Sequence, residues 1–222
     1  MNNIYSNYHY SFVDKIIKNK RQEMCDIINK NINNHIIFDA LDVGTTNDED
    51  SECSNYVCKN LEKITEFKSI SDQLIQDTFF QKILKKSVTE DFTSEEINSL
   101  KSDLVISNAT IEHVGNFYNQ TKMIKNIKNL SKKFFFITTP NKYHPIEFHT
   151  KLPFIHWLPK KVYRKILNFL KLDFFSKEKN LNLLSEKDLK IALKNAGVEE
   201  YKIFYIYLMG FKSNFLVFGK IT

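Results

Sequence analysis

A chain of 222 residues, 42% hydrophobic and 14% aromatic, has the length and composition of one domain with a large aromatic core; this excludes a disordered chain and removes the need for a metal or disulfide staple. The formal net charge of +6 comes from Lys scattered through helical stretches rather than from one basic run, so it reads as a solvated surface and not as a nucleic-acid footprint. The odd set Cys25, Cys53 and Cys58, with no apolar leader in the polar first residues and no apolar run near the roughly 20 residues that span a bilayer, points to a reducing, cytoplasmic setting.

Residues 11–32 carry Phe12, Val13, Ile16, Ile17, Met24, Ile27 and Ile28 at helical spacing, with Ser11 as N-cap and Asp14 in the first turn. This predicts an amphipathic helical segment over residues 1–34, preceding a main domain over 35–222. Residues 36–43 form a short apolar run ending at Gly44, as a buried strand feeding a turn does. The acidic cluster Asp48-Glu49-Asp50 then suits the start of a helix reaching Leu61. A second strand is expected within residues 64–70, a helix near 72–84 and a weak third strand near 87–89. Residues 103–108 give a clearer fourth strand. Residues 117–130 give a helix with Met123, Ile124, Ile127 and Leu130 inward, and 133–139 a strongly β-prone fifth strand stopped by Pro140. Ser185 with Asp188 caps a last helix that Gly197 closes, and two aromatic strands near 202–207 and 214–219 pair through Gly210 as an antiparallel hairpin.

Strands alternating with helices imply an α/β fold: a Rossmann-like, doubly wound, mostly parallel seven-stranded sheet ending in that hairpin. Residues 141–182 stand apart. They hold three of the four prolines, the lone Trp157, three histidines and an aromatic cluster. Their place after the fifth strand puts them over the carboxyl edge of the sheet, where such folds bind ligands, and predicts a lid.

The chemistry-bearing motifs fall on that edge. Asp42-Val43-Gly44-Thr45-Thr46-Asn47-Asp48 brings a glycine to a strand end, where backbone can approach a ligand without an intervening Cβ. Ser107-Asn108-Ala109-Thr110-Ile111-Glu112-His113 follows the fourth strand, and Thr139-Pro140-Asn141 leaves the fifth. Taken in order, these motifs resemble the class I S-adenosylmethionine-dependent methyltransferases, in particular the broad type 11 group with its Glu-His pair after the fourth strand. Pro145-Ile146-Glu147-Phe148-His149-Thr150 and His156-Trp157-Leu158-Pro159 are similar to a bacterial methyltransferase-like subgroup. Thr46 and Asp48 stand where the family's second and third glycines usually lie, so the first motif is degenerate.

The resemblance implies S-adenosylmethionine as cofactor, lined by Asp42, Gly44, Thr45 and Thr46. It also implies a ribose-binding acid at the end of the second strand, Asp72 or Glu66, and an adenine-facing acid after the third, Asp91 or Glu90. Asn108 falls at the methyl-transfer site. Transfer from a sulfonium is an in-line displacement in which positioning supplies much of the rate, and a base is required only for an acceptor protonated at neutral pH. His149 and His113 are the first candidates for that base, with His144 and His156 behind them. A metal set drawn from His144, His149, His156 and Glu112 has no recognisable zinc spacing, so no metal is expected.

The implied function is methyl transfer to a small molecule or a sugar-containing precursor. The sugar comes from the resemblance alone, and the degenerate glycine motif leaves a catalytically silent binding module as the alternative. The turn after the fourth strand lacks an Asn-Pro-Pro-Tyr-like sequence, which argues against DNA amine methylation, and Gly44 lacks the partners of a nicotinamide-binding G-x-G-x-x-G. The aromatic residues beside Lys160, Lys161 and Arg164 suit a membrane surface, but a lid over an acceptor pocket is the favoured reading.

Overall fold

The computed structural model describes residues 12–47 and 53–221. Ser11, the acidic cluster Asp48-Glu49-Asp50 and the polar first residues lie outside them. Seven strands form one sheet: β1 (Asp39–Val43), β2 (Glu66–Ser71), β3 (Lys82–Lys85), β4 (Ser102–Asn108), β5 (Ser131–Pro140), β6 (Tyr201–Leu208) and β7 (Phe211–Lys220). Their spatial order is β3-β2-β1-β4-β5-β7-β6. The first five run parallel, and β7 inserts antiparallel between β5 and β6. The expected sheet and hairpin are therefore present.

The apolar runs of β4 and β5 are continuous because both faces of these strands are covered. Val105, Phe135 and Ile137 point to one side. There they meet α3 (Ser94–Leu100), α4 (Phe117–Leu130) and α7 (Glu186–Asn195) through Leu100, Met123, Ile127, Leu189 and Leu193. Leu104, Ile106, Phe134 and Phe136 alternate to the other side. They pack on α1 (Phe12–Ile32) and the single turn α2 (Tyr56–Lys59) through Met24, Cys25, Ile28, Val57 and Cys58. Burying each of the two completely enclosed rings, Phe135 and Phe136, contributes roughly 1.5–3 kcal/mol.

At the amino edge of the sheet Asp39 acts as a polar clamp. Its carboxylate accepts from the Asp103 amide at 2.8 Å and from Lys68 Nζ at 2.7 Å, with Lys132 Nζ at 3.4 Å. Burial works to raise its pKa, but the Lys68 ammonium, the Asp103 amide and Lys132 together hold it below the usual carboxylate range.

Three expectations are corrected. Residues 72–81 form no helix; Ile75 and Phe80 reach the core on the α1 side from a loop. The third strand lies at Lys82–Lys85 rather than 87–89, and as a sheet edge with exposed ends it carries no alternating signal. The helix α3 is an element beyond those expected, and Thr93 and Glu96 close a capping box at its start. Among the described residues, α2 is the helical part of the stretch expected to reach Leu61, whereas α4 and the Ser185-capped α7 stand where expected.

Between β5 and α7 the chain makes an excursion through a 3-10 turn at Ile155–Trp157, then α5 (Lys160–Phe169) and α6 (Asp173–Ser176). It leaves and rejoins the body at one place, where Asn141 bridges Leu184 and the Lys142 amide donates to the Leu184 carbonyl.

Candidate active site

The carboxyl ends of β1, β2, β4 and β5 converge on Gly44. Its φ of +93° lies in the region that favours glycine. Its amide donates to Ile70 O at 2.9 Å, stitching the β1 exit to β2. A Cβ there would run into the Thr110 side chain, reaching 2.8 Å from Thr110 Cβ. Position 44 is glycine for two reasons, backbone angle and lack of room.

The turn after Gly44 is tied down by side chains where a glycine-rich loop would rely on backbone. Thr45 Oγ1 donates to Asp42 at 2.5 Å, and Ser69 Oγ donates to Thr45 Oγ1 at 2.8 Å. Asn55 closes a reciprocal pair with the Thr46 backbone, accepting its amide at 3.0 Å and donating to its carbonyl at 2.9 Å. Ser71 Oγ donates to the Thr45 carbonyl at 2.6 Å, fixing the turn against the exit of β2. Asp42 is buried, which pushes its pKa up to about 6 against the pull of the Thr45 hydroxyl and the Lys59 charge.

Asp72 follows the last residue of β2 and is exposed, whereas Glu66 opens that strand at the opposite edge; of the two acids only Asp72 shares an edge with Gly44. Asp91 does not stand at the β3 exit. The Lys86 amide, which donates to Ser71 O at 2.7 Å, occupies that place. Asp91 is 92% exposed and pairs with Lys122 of α4 at 2.8 Å. Glu90 folds back to accept from the Ser87 amide. Asn108 ends β4 and accepts from Thr138 Oγ1 of β5 at 2.6 Å, and Ala109 beyond it has a φ of +52°. This sharp exit brings Thr110 over Gly44 and leads into the turn Ile111–His113.

That turn carries Glu112, whose carboxylate is fully buried. Oε2 accepts from Thr139 Oγ1 at 3.1 Å, while Oε1 is buried without a hydrogen-bond partner. Beside it the His113 Nδ1–H donates to the Asn180 carbonyl at 2.6 Å, leaving Nε2 turned toward Glu112 Oε1 at 3.9 Å. His149 arrives from the excursion with its Nδ1–H donating to Glu147 Oε1 at 2.7 Å, its ring meeting His113 edge-on at 4.7 Å. Glu147 also accepts the His149 and Thr150 amides. Despite burial, which acts to raise it, its pKa falls to about 2 because His149 pairs with it. Burial opposes charge on His149, but Glu147 and, further off, Glu112 hold its pKa above the usual histidine value.

His144 and His156 stay out of this cluster. His156 Nε2 donates to the His144 carbonyl and His144 Nδ1 to Ile146 O, so both serve the internal structure of the excursion. The excursion is also pinned beside the β4 exit through Asn182. The Asn182 amide donates to Glu112 O at 2.7 Å, and Asn182 Nδ2 to Gly115 O at 2.8 Å. Gln120 of α4 donates to both Ile111 O and Asn182 O. An open hollow of about 690 Å³ beside α7, lined by Glu186, Lys190 and Tyr201 among others, carries none of these groups.

The strand order and the antiparallel seventh strand are those of the S-adenosylmethionine-dependent methyltransferase fold. Among the solved structures, this chain is similar to magnesium protoporphyrin IX methyltransferase from Synechocystis PCC 6803 with bound S-adenosylmethionine, at a TM-score of 0.54 and 10% identity, over 98% of this chain and 88% of that one. It is also similar to 1,6-didemethyltoxoflavin-N1-methyltransferase from Burkholderia thailandensis, with its bound acceptor and S-adenosylhomocysteine, at 0.58 and 10%, covering 92% and 79%. The N-methyltransferase NodS from Bradyrhizobium japonicum WM9 gives 0.53 and 7%, covering 93% and 97%. No family model and no curated protein matches the sequence. Among the described residues no helix is long and apolar enough to cross a membrane.

Proposed function

We propose that the protein is an S-adenosylmethionine-dependent methyltransferase whose acceptor is a small molecule. The observation that carries this is the shared edge: Gly44 with its pinned turn, Asp72 at the β2 exit and Asn108 with Thr110 at the β4 exit lie side by side at the carboxyl ends of adjacent parallel strands. Open α/β sheets bind ligands there. These residues fit the cofactor. Gly44 offers backbone without a side chain, and Asp72 offers two acceptor oxygens for vicinal hydroxyls. Thr46 and Asn55, bonded to each other, replace the missing glycines as the element that holds the turn. The degenerate glycine motif is thus compensated by hydrogen bonds, which favours an active enzyme over the silent module.

When bound, S-adenosylmethionine supplies an electrophilic methyl on a sulfonium. This chain's part is to hold the acceptor in line beyond Asn108. Residues 141–182 form the roof, since their anchors on Glu112 and Gly115 hold them against the β4 exit, which favours a lid over a membrane-facing role. His113 and His149 meet where this roof joins the β4 exit. Two of the neighbours are named for small-molecule acceptors, magnesium protoporphyrin IX and 1,6-didemethyltoxoflavin. A sugar-containing precursor is one such acceptor.

Calorimetry tests the cofactor assignment. Both S-adenosylmethionine and S-adenosylhomocysteine should bind at micromolar concentration, and Asp72→Ala should weaken both by roughly 10- to 100-fold, the worth of one or two hydrogen bonds to a charged group. No heat at millimolar ligand would refute the proposal, and an Asp72→Ala protein that binds like the native one would remove Asp72 from the site.

A further inference from the structure

We propose that Glu112, His113 and His149 form a binding site for one divalent first-row transition-metal ion at the β4 exit, under the lid. The ligand atoms of these three residues lie within 4.8 Å of one another. Ligands bonded at about 2.1 Å to one ion stand roughly 3–4 Å apart, so small side-chain rotations close the set. Three independent features support it. The Oε1 atom of Glu112 is buried with no hydrogen-bond partner, and it points at His113 Nε2. Each histidine spends its Nδ1–H on an oxygen acceptor, the Asn180 carbonyl for His113 and the Glu147 carboxylate for His149. That leaves both Nε2 lone pairs for a metal, in the arrangement by which carboxylates and carbonyls orient metal-bound imidazoles.

Charge is the third feature. Glu112 and Glu147 are 0% and 2% exposed, and among the described residues their ion pairs are with His113 and His149 alone, never with Lys or Arg. Two buried carboxylates whose ion-pair partners are imidazoles rather than Lys or Arg leave a hollow that suits a dication, which the same imidazoles can ligate in their neutral form. Two imidazoles and one carboxylate select Zn(II), Fe(II), Co(II) or Mn(II) over Mg(II) or Ca(II), and three protein ligands leave open positions for an acceptor oxygen.

The binding of the ion stands on this geometry; its role rests on the methyl-transfer reading. An acceptor hydroxyl coordinated there loses its proton to solvent more readily. Its oxygen lone pair then forms the bond to the methyl carbon as the carbon–sulfur bond breaks, the pair from that bond remaining on sulfur as the neutral thioether. His149 is on this account a ligand and not the base.

The probe is Co(II) added to chelator-treated full-length protein, followed by calorimetry and visible absorption. One ion should bind per chain with d–d bands and without the thiolate charge-transfer band that the buried cysteines would give. Glu112→Gln and His149→Ala should each weaken binding at least 100-fold, and Glu147→Gln roughly 10- to 100-fold through loss of the orienting bond. If a variant does not fold, the native protein decides: saturating Zn(II) should raise its Tm while equal Mg(II) does not. No Co(II) binding at millimolar concentration, native-like affinity in Glu112→Gln, or a Tm unmoved by Zn(II) overturns the site. S-adenosylhomocysteine is titrated into the same chelated sample. Its binding without cobalt binding defeats the metal site alone, and cobalt binding without it defeats the methyl-transfer reading alone.

Discussion

Gly44→Ala should destabilise the protein by roughly 2–6 kcal/mol, and Thr110 should account for about half of that loss. Two costs add. Alanine at a φ of +93° is strained by about 1–3 kcal/mol. The new methyl would also overlap Thr110, an overpacking cost of about 1–3 kcal/mol. Thr110 cannot retreat freely, because its hydroxyl proton is shared between Val43 O and Asn108 O, each 3.3 Å away, joining the two strand ends that form the site. A double-mutant cycle separates the terms. In a Thr110→Gly background Gly44→Ala should cost only the backbone share, while Gly44→Leu should abolish cofactor binding in either background. Urea unfolding of the four proteins reads the first prediction. Equal costs in the two backgrounds would show that Thr110 does not pack on Gly44.

Asp39→Ala should cost about 3–5 kcal/mol in the same assay, because it strands Lys68, a lysine buried on β2 beside β1, and frees the Asp103 amide. Glu66, 3.8 Å from Lys68 and partly exposed, offers a weaker substitute, which places the expectation at the lower end. Replacing Lys68 by Met in the same chain should restore most of the loss, since no unpaired charge then remains. The pH dependence has a definite sign. The folded pKa of Asp39 is depressed, so its stabilisation is present above the ordinary carboxylate range near pH 4 and fades as pH falls through the lower folded value. A loss under about 1 kcal/mol would mean that Lys68 reaches water once Asp39 is gone.

How much of this was legible in the amino-acid sequence depends on what each residue answers to. Strands β4 and β5 announce themselves because both faces are covered, so Leu104-Val105-Ile106 and Phe134-Phe135-Phe136 are apolar without interruption. Helix α7 is legible because Ser185 and Asp188 satisfy its first amides locally. The edge strand β3 is not, because Lys82 and Lys85 answer to solvent, and the apolar residues before it are a loop's contribution to the core. The motifs put Gly44, Asp42 and Asn108 at strand ends, where the fold has them, and Asp72 is separated from Glu66 once β2 has ends. Asp91, expected at the exit of a strand near 87–89, lies further along because β3 ends at Lys85, and it pairs with Lys122 of α4.

The Glu112, His113 and His149 cluster escapes metal-spacing rules because its members belong to a strand exit and to the excursion. They are joined by anchors such as Asn182 to Glu112 that no local pattern records. The histidines closest to His149 in sequence, His144 and His156, bond to backbone carbonyls within the excursion and stay out of the cluster.

The central claim is that an adenosyl group lies along the exits of β1, β2 and β4. A crystal structure of the protein grown with S-adenosylhomocysteine tests it most directly. The account predicts the thioether ligand across Gly44, with its ribose hydroxyls at the Asp72 carboxylate and its sulfur toward Asn108 and the lid. Ligand seated elsewhere, such as in the hollow beside α7, or a site that stays vacant at millimolar ligand, would contradict it.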